Sequence, residues 1–441
     1  MKSVFAGIAT GVATAFLARG ESLVQWPDRV RMLFPGVMGA LAGSSTVALT
    51  LAPRARPRHL PTLVTGLVMF GGAGWFIAHK KLQGIKQNGA ELDPTLTEPP
   101  TSPLVSGGPT SEVNYSLLSR EGARFVHSAT DWSDSAVSIP RVKEPIRVFV
   151  SVLHASSIAD RVALAVRELS RTGAFERKFL LVQSPAGSGY ANSTPVDVLE
   201  FLSGGDCATV VVSYGLLPSF LSLNKVSNAG DTQRALLEFL GAEIELRERQ
   251  GKSVPQLFVY GESLGAKVQQ YALPLGPVDM DRFHISRALW VGTPGGATAD
   301  GFHQLCSGDS FTIDRPEQIP SNADARVWFL EHDGDPVVRF RPNLTWSPPP
   351  WLEQQPRGRN IPEAMSWKPA LTWATVLVDT MFATNVKPGD FQSWGHDYRA
   401  DLGEVAARAF GFHPTPEVMT QLQATLRACE LARAQRVLTP T

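Results

Sequence analysis

The stretch Gln256–Leu273, QLFVYGESLGAKVQQYAL, decides the fold class of this chain. Its first part, Gln256–Tyr260, is a short run of apolar, β-branched and aromatic residues, which predicts a buried strand. From Ser263 to Tyr271 the apolar residues recur at helical spacing, which predicts a helix. A strand that turns directly into a helix is the basic unit of a parallel sheet covered by helices.

The turn between them has the pattern Gly-x-Ser-x-Gly, centred on Ser263. Side chains at Gly261 and Gly265 would collide with neighbouring backbone in so sharp a turn, and the serine hydroxyl is then held exposed at the start of the helix. The N–H of Leu264 can point at a developing oxyanion. The pattern therefore indicates a nucleophile elbow; the alternative is an ordinary strand-to-helix turn capped by Ser263.

Strands and helices alternate on both sides of this turn. The other predicted strands are Ile146–Val152, Lys178–Val182, Thr209–Ser213, Ser286–Val291 and Arg326–Leu330, and the other predicted helices include Ile158–Thr172 and Asp231–Gln250. The alternation predicts an α/β fold with a mostly parallel sheet and helices on both faces. Ligands bind such sheets at the carboxyl ends of the strands, which is where further site residues are expected.

A serine nucleophile needs a general base and an acid that orients the base, and in this fold they follow in the order Ser, Asp/Glu, His. Two aspartates, Asp333 and Asp335, follow the predicted strand that ends at Leu330. We favour Asp335 because a residue before proline is held extended, and Asp333 is the alternative acid. Beyond them, His396 precedes a predicted helix, and we expect it to be the base; the alternative is a structural histidine.

A glycine-containing loop, Ser184–Tyr190, follows the predicted strand that lies two strands before the elbow in the chain. Its glycines can free backbone N–H groups that complete an oxyanion hole with Leu264, and the candidates are Gly187 and Ser188. The alternative is a turn whose glycines serve only its φ angles. The sequence leaves open which of these amides faces the substrate.

An insertion at about 338–392 separates the acid from the base and is rich in tryptophan and proline. Its tryptophans are Trp346, Trp351, Trp367 and Trp373. This composition predicts a cap whose aromatic walls would suit an apolar acyl chain. For any single tryptophan, the alternative is that it packs in a small core of the cap itself.

Residues 1–86 contain three long runs almost without charge. As a helix, Met32–Pro53 would reach ~33 Å, enough to cross a hydrocarbon core of ~30 Å. Leu60–Ala78 is nearly as long, whereas Ser3–Ala18 is short enough to be a span or a signal-peptide core. These runs predict two or three transmembrane helices in a multi-pass protein of the cell membrane; the alternative is a buried helical hairpin. Basic residues on both sides of the runs leave the orientation open.

Residues 87–112 are rich in Pro, Thr, Ser and Gly and lack a periodic apolar stripe, which predicts a flexible linker. Residues 113–441 would then form the catalytic domain, with the cap inserted in it. The linker would tether this domain close to the lipid surface and so raise its local concentration there.

The composition argues against several classes of protein. The 41 Lys and Arg residues balance 41 Asp and Glu residues, so nucleic acid is not an expected partner. The three cysteines, Cys207, Cys306 and Cys429, are far apart, and no Cys or His pair has metal-ligand spacing. We expect no disulfide scaffold, no metal and no organic cofactor; the oligomeric state stays open.

Several segments resemble one known family. They are REGARFV, ELSRTGAFERK, SPAGSGY, SYGLLPSFLS, VYGESLGA, ALWVGTPGG, DPVVRF, PRGRNIPEAMSWKPALTWATVLVDTMF and GHDY, between about Leu118 and Gly411. The sequence is similar to the α/β-hydrolase superfamily and, more narrowly, to the bacterial membrane-anchored α/β-hydrolase family, which joins an N-terminal membrane region to a hydrolase domain.

This resemblance implies that Ser263 is the nucleophile, Asp335 the acid and His396 the base. The family usually has threonine and tryptophan where this chain has Ala186 and Tyr190, so we expect the pocket near the oxyanion to differ.

These predictions lead to a membrane-tethered serine hydrolase, esterase- or lipase-like, that cleaves carboxylic and lipid-like esters through an acyl-serine. Its partners would be the ester substrate and the membrane. One alternative is an acyltransferase that passes the same acyl group to an alcohol or amine. The other is a non-catalytic membrane binding module built on a hydrolase fold.

Overall fold

The computed structural model describes residues 22–51, 89–128, 139–216, 226–296, 301–321, 323–383 and 391–438, together with Thr10 and Thr14. The predicted span Leu60–Ala78 and nearly all of Ser3–Ala18 lie outside the described residues. The chain divides into two compact units. Unit 1 comprises residues 1–85 and 339–384, and unit 2 comprises residues 86–338 and 385–441.

Unit 2 is built on a parallel sheet of seven strands. The strands are β1 (Ile146–Val150), β2 (Phe179–Ser184), β3 (Cys207–Val212), β4 (Gln256–Glu262), β5 (Ile285–Val291), β6 (Ser310–Ile313) and β7 (Val327–Leu330). Their order across the sheet is β1-β3-β2-β4-β5-β7-β6, and every neighbouring pair is parallel. The carboxyl ends of all the strands therefore lie along one edge, which brings together the loops that follow β2, β4, β5 and β7.

Every residue of β1, β3 and β7 is buried. Because successive side chains of a strand point to opposite faces, continuous burial means that both faces of the sheet are covered. The prediction of a parallel sheet between two layers is confirmed. The prediction omitted β6, an edge strand of four residues of which only Ile313 is buried, so its sequence has no apolar run to indicate it.

Thirteen helices are described. They are α1 (Asp28–Leu51), α2 (Ser119–His127), α3 (Ile158–Thr172), α4 (Ser193–Leu202), α5 (Val226–Arg249), α6 (Leu264–Ala272), α7 (Pro277–Arg282), α8 (Phe302–Leu305), α9 (Pro336–Arg339), α10 (Pro350–Glu353), α11 (Leu371–Phe382), α12 (Arg399–Ala409) and α13 (Pro416–Leu438). The predicted helix Ile158–Thr172 has its observed bounds because Ser157 caps its start and Gly173, at φ 72°, ends it.

Unit 1 has a small apolar core of its own. This core contains Leu23, Leu344, Trp351, Leu352, Ile361, Met365 and Val376, with Trp367 and Trp373 packed against it. The backbone N–H of Leu23 and the indole of Trp26 both donate to the buried carboxylate of Asp379, at 3.0 and 2.5 Å. The residues predicted as a cap on the catalytic domain thus pack with the N-terminal segment, and three of the cap tryptophans serve this core.

The predicted linker is different in the structure. Residues 89–112 belong to unit 2, where Val105 and Ser106 are buried beside β1. Ser106 donates its N–H to the carbonyl of Arg147 at 2.9 Å, and its hydroxyl accepts from Phe149 N at 3.0 Å. The prediction of a flexible linker is therefore wrong for these residues, because side chains such as Asp93, Ser102 and Ser106 accept hydrogen bonds from backbone N–H groups and hold the segment in place.

The predicted span Met32–Pro53 falls largely in α1, which begins with Asp28, Arg29 and Val30. Among the helices of the described residues, none combines the length and the apolar character needed to cross a bilayer.

Candidate active site

Ser263 lies in the sharp turn between β4 and α6. Its backbone has φ 54° and ψ −127°, a conformation that L-residues rarely adopt and that is typical of strained functional positions. Its N–H donates to the carbonyl of Val291, at the end of β5, at 2.8 Å. The turn is thus held against the neighbouring strand and presents the serine at the carboxyl edge of the sheet.

The two glycines of the pattern are sterically required. A Cβ atom at Gly261 would lie 2.7 Å from the N of Ala266, and one at Gly265 would lie 2.3 Å from the carbonyl oxygen of Ser184. These are backbone atoms, so neither contact can be relieved by a side-chain rotation. The second contact also shows that the start of α6 packs directly on the loop that follows β2.

Asp335 and His396 are brought together although 61 residues separate them in the chain. His396 Nδ1 lies 2.6 Å from Asp335 Oδ2, and both side chains are buried. The other carboxylate oxygen, Oδ1, accepts from Val337 N at 2.8 Å. Asp333, the alternative acid, donates its N–H to Asp314 at 2.8 Å, and the hydrogen bond to His396 belongs to Asp335.

The surroundings of His396 act on its pKa in opposite directions. Burial disfavours the charged imidazolium, but the charge and the hydrogen bond of Asp335 outweigh it, so the pKa of His396 is raised above its ordinary value. Glu262 and Asp397 act in the same direction as Asp335.

The His396 ring packs on the residue that follows β5. A Cβ atom at Gly292 would lie 2.6 Å from His396 Cε1, and Gly292 follows Val291, the residue that binds Ser263 N. His396 Nε2 is buried and has no hydrogen-bond partner among the described residues. The hydrogen bond from Ser263 Oγ to this nitrogen stays a prediction.

The candidate oxyanion donors belong to the start of α6 and to the loop after β2. In the loop after β2, Ala186 N donates to Tyr190 O at 2.8 Å and Gly189 N donates to Ala186 O at 2.9 Å, which closes the loop on itself. The carbonyl of Gly187 is directed to Gly215, where a Cβ atom would lie 2.6 Å from it. The roles of the Leu264, Gly187 and Ser188 amides stay predictions, and the packing of Gly265 on Ser184 keeps both segments adjacent.

Three groups of hydrogen bonds in the site were not predicted from the sequence. Tyr398 donates its hydroxyl to Asp335 Oδ2 at 2.6 Å. Glu262 accepts from Asn192 at 2.6 Å and from Tyr260 at 2.7 Å, which ties the start of α4 to the end of β4. His332 lies between Asp401 and the Gly395 carbonyl. The position of Tyr398 in the GHDY segment was its only signal in the sequence.

A cavity of about 680 Å³ lies at the far end of α6. Arg234, Lys267, Gln270, Tyr271 and Phe302 are among its lining residues, and Ser263, Asp335 and His396 are not. No group of three or more His, Cys, Asp or Glu side chains with metal-binding geometry occurs in the described part of the chain. All three cysteines are buried, and none of them forms a disulfide.

Comparison with known proteins identifies the relationship at the level of the family. A family model described as "Alpha/beta-hydrolase family" matches residues 146–306 and 310–413, which include β1 to β7 and all the site residues named above. No curated protein matches the chain.

Solved structures of similar proteins are distant. One is a Trichoderma reesei cutinase in complex with a phosphonate inhibitor, with 16% identity over 42% of this chain and 81% of the cutinase, at a TM-score of 0.24. Another is an acetylxylan esterase, with 12% identity over 36% of this chain and 83% of the esterase, at a TM-score of 0.22.

Proposed function

The chain belongs to the α/β-hydrolase family, and from this premise we propose that it is a serine hydrolase that cleaves carboxylic esters through an acyl-serine intermediate. The observation that carries the proposal is the buried hydrogen bond between Asp335 and His396 beside the strained turn of Ser263. The His396 ring packs on Gly292, directly after the strand end that binds the half-buried Ser263. An oriented base at this place is what a serine needs to become a nucleophile at neutral pH.

In the acylation step, Ser263 Oγ attacks the ester carbonyl and its proton passes to His396 Nε2. Asp335 accepts the Nδ1–H of the imidazole, which keeps the lone pair on Nε2 and stabilises the imidazolium that forms. The amides of Leu264 and of Gly187 or Ser188 would bind the oxyanion. One such donor typically lowers the activation barrier by ~3–4 kcal/mol. When the tetrahedral intermediate collapses, the alcohol leaves with the proton held by His396.

In the deacylation step, water replaces the alcohol. The water attacks the acyl carbonyl while His396 takes one of its protons. His396 then gives this proton to Ser263 Oγ when the acid product leaves. The same intermediate reacts with an alcohol or an amine if one is bound in place of water, so a competing acceptor distinguishes hydrolysis from acyl transfer.

We further propose lipid-like esters as substrates and a membrane tether, as in the bacterial membrane-anchored α/β-hydrolases. The apolar runs Met32–Pro53 and Leu60–Ala78 support the tether. The exposure of Met32, Leu33 and Val37 on α1 also supports it, since large apolar side chains in one exposed region indicate an interaction surface.

Labelling with a fluorophosphonate tests the nucleophile. Ser263 Oγ would form a bond to phosphorus as fluoride leaves, so the wild-type full chain should be labelled at one residue and Ser263→Ala should not be labelled. Ser307→Ala, which removes an exposed hydroxyl in the turn after α8, is the matched control and should label as the wild type does. A wild type that is not labelled would favour a binding module instead. An equally labelled Ser263→Ala would show that the label is bonded to another residue and would reject Ser263 as the nucleophile.

A further inference from the structure

We propose that Tyr398 is a positioning residue of the site, whose hydroxyl shares Asp335 Oδ2 with His396 and so sets how strongly the carboxylate holds the imidazole proton. This inference rests on the proposed function and adds a fourth residue to the hydrogen-bonded group of Ser263, His396 and Asp335. Tyr398 does not touch the reacting atoms and acts through Asp335.

The geometry places two donors on one oxygen. Tyr398 Oη donates to Asp335 Oδ2 at 2.6 Å, and His396 Nδ1 lies at the same distance from the same atom. Val337 N occupies Oδ1 at 2.8 Å. Asp335 is 0% and Tyr398 1% exposed, so these bonds act with little screening by water.

Tyr398 is itself held in place, as a positioning residue must be. Its hydroxyl accepts from His332 N at 3.1 Å, and its ring stacks on the His332 imidazole with centroids 3.9 Å apart. A Cβ atom at Gly292 would lie 2.8 Å from Tyr398 Cε2, so the ring packs closely on the end of β5. Burial, and after it the charge of Asp335, raise the pKa of Tyr398 well above its ordinary value, so the hydroxyl keeps its proton and stays a donor.

A donor on Oδ2 draws negative charge away from the His396 bond. Without the Tyr398 hydroxyl, the Asp335 carboxylate interacts more strongly with the Nδ1–H of His396. This favours the imidazolium, so the pKa of His396 rises further. The charged groups that act on His396 are Asp335, Glu262 and Asp397, and none of them changes when the phenol oxygen is removed. A residue that only fills space would leave the pKa of His396 unchanged.

The experiment measures the rate of fluorophosphonate labelling of the full chain as a function of pH. The rate falls as pH decreases through the pKa of His396, because only the neutral imidazole takes the serine proton. In Tyr398→Phe we expect this midpoint to move up by about half to one pH unit, which lowers the rate below the midpoint by about three- to tenfold.

A second variant reverses the sign. Site-specific replacement of Tyr398 by 3-fluorotyrosine makes the phenol a stronger donor, so the midpoint should move down. Tyr271→Phe, which removes an exposed hydroxyl bound to Ser227, is the matched control and should leave the midpoint where it is.

Opposite shifts of the midpoint in the two Tyr398 variants support the inference. If the wild type is labelled normally and neither variant moves the midpoint, the inference is overturned but the proposed function is not. If Tyr398→Phe does not fold, the fluorotyrosine protein tests the inference by itself: a downward shift of its pH midpoint supports the inference, and an unmoved midpoint overturns it. A wild type that is never labelled at Ser263 rejects the proposed function, and this inference with it.

Discussion

Asp335 owes its place in the site to its neighbours on the chain as well as to His396. Its N–H donates to the carbonyl of His332 at 3.1 Å, and Pro336, the next residue, begins α9, whose Val337 N–H binds Oδ1. This local bond leaves Oδ2 directed at His396 and Tyr398. Asp333, two residues earlier, is tied by its backbone to Asp314 instead.

The amide variant of Asp335 should be far less reactive than that of Asp333. In Asp335→Asn the imidazole loses the acceptor that fixes its tautomer, and we expect the rate of fluorophosphonate labelling to fall by about 10⁴-fold. Asp333→Asn should stay within a few-fold of the wild type. Equal small losses in both variants would contradict the assignment of the acid.

The same pair predicts a pH effect with a definite sign. Asp335 raises the pKa of His396, so in Asp335→Asn this pKa should fall toward the lower value that burial favours. The residual labelling rate of this variant should therefore fall off at lower pH than that of the wild type. A midpoint that stays in place would contradict the interaction between Asp335 and His396.

At the scale of elements, the site depends on close packing between the start of α6 and the loop after β2. Gly265 makes that contact possible, and it also keeps the Leu264 amide adjacent to the loop that contains Gly187 and Ser188. The Gly-x-Ser-x-Gly pattern indicated the turn from local sequence alone. The sequence did not reveal what Gly265 packs against, because Ser184 lies on another strand.

Gly265→Ala should therefore destabilise the protein and slow its labelling together. The new methyl group would lie 2.3 Å from Ser184 O and 3.0 Å from Pro185 O, and overpacking of this kind costs about 1–3 kcal/mol. The measurement is thermal unfolding of the full chain together with its labelling rate. Gly36→Ala on α1 is the control, since nothing lies within 4 Å of its Cβ position, and a similar effect in both variants would refute the steric explanation.

At the scale of the molecule, a buried charge network joins elements from the two ends of unit 2. Arg147 on β1 is fully buried and binds Glu200 on α4 at 2.7 Å and Asp197 at 3.1 Å. Asp197 also binds Arg433 on α13 at 2.6 Å. A buried charge is tolerable only when it is paired, so these residues fix how the last helix closes on the first strand.

Arg147→Met should lower the free energy of unfolding by about 3–5 kcal/mol, because it leaves Glu200 buried without its cation and takes from Asp197 one of its two arginine partners. Denaturant unfolding of the full chain measures this loss. Arg249→Met, which breaks an exposed pair with Glu245, is the control and should change it by about 0.5 kcal/mol or less. A loss of the same small size at Arg147 would show that the network contributes little.

The sequence by itself determined six of the seven strands, the parallel sheet and the turn at Ser263, since these follow from local periodicity and from glycine, proline and capping residues. Only the tertiary structure joined Asp335 to His396 and brought Tyr398 to the same oxygen. It also bound residues 104–106 to β1 and grouped Leu23 and Trp26 with Asp379. Those contacts join residues far apart in the chain, and a hydrogen bond between distant side chains leaves no periodic trace in the segments that make it.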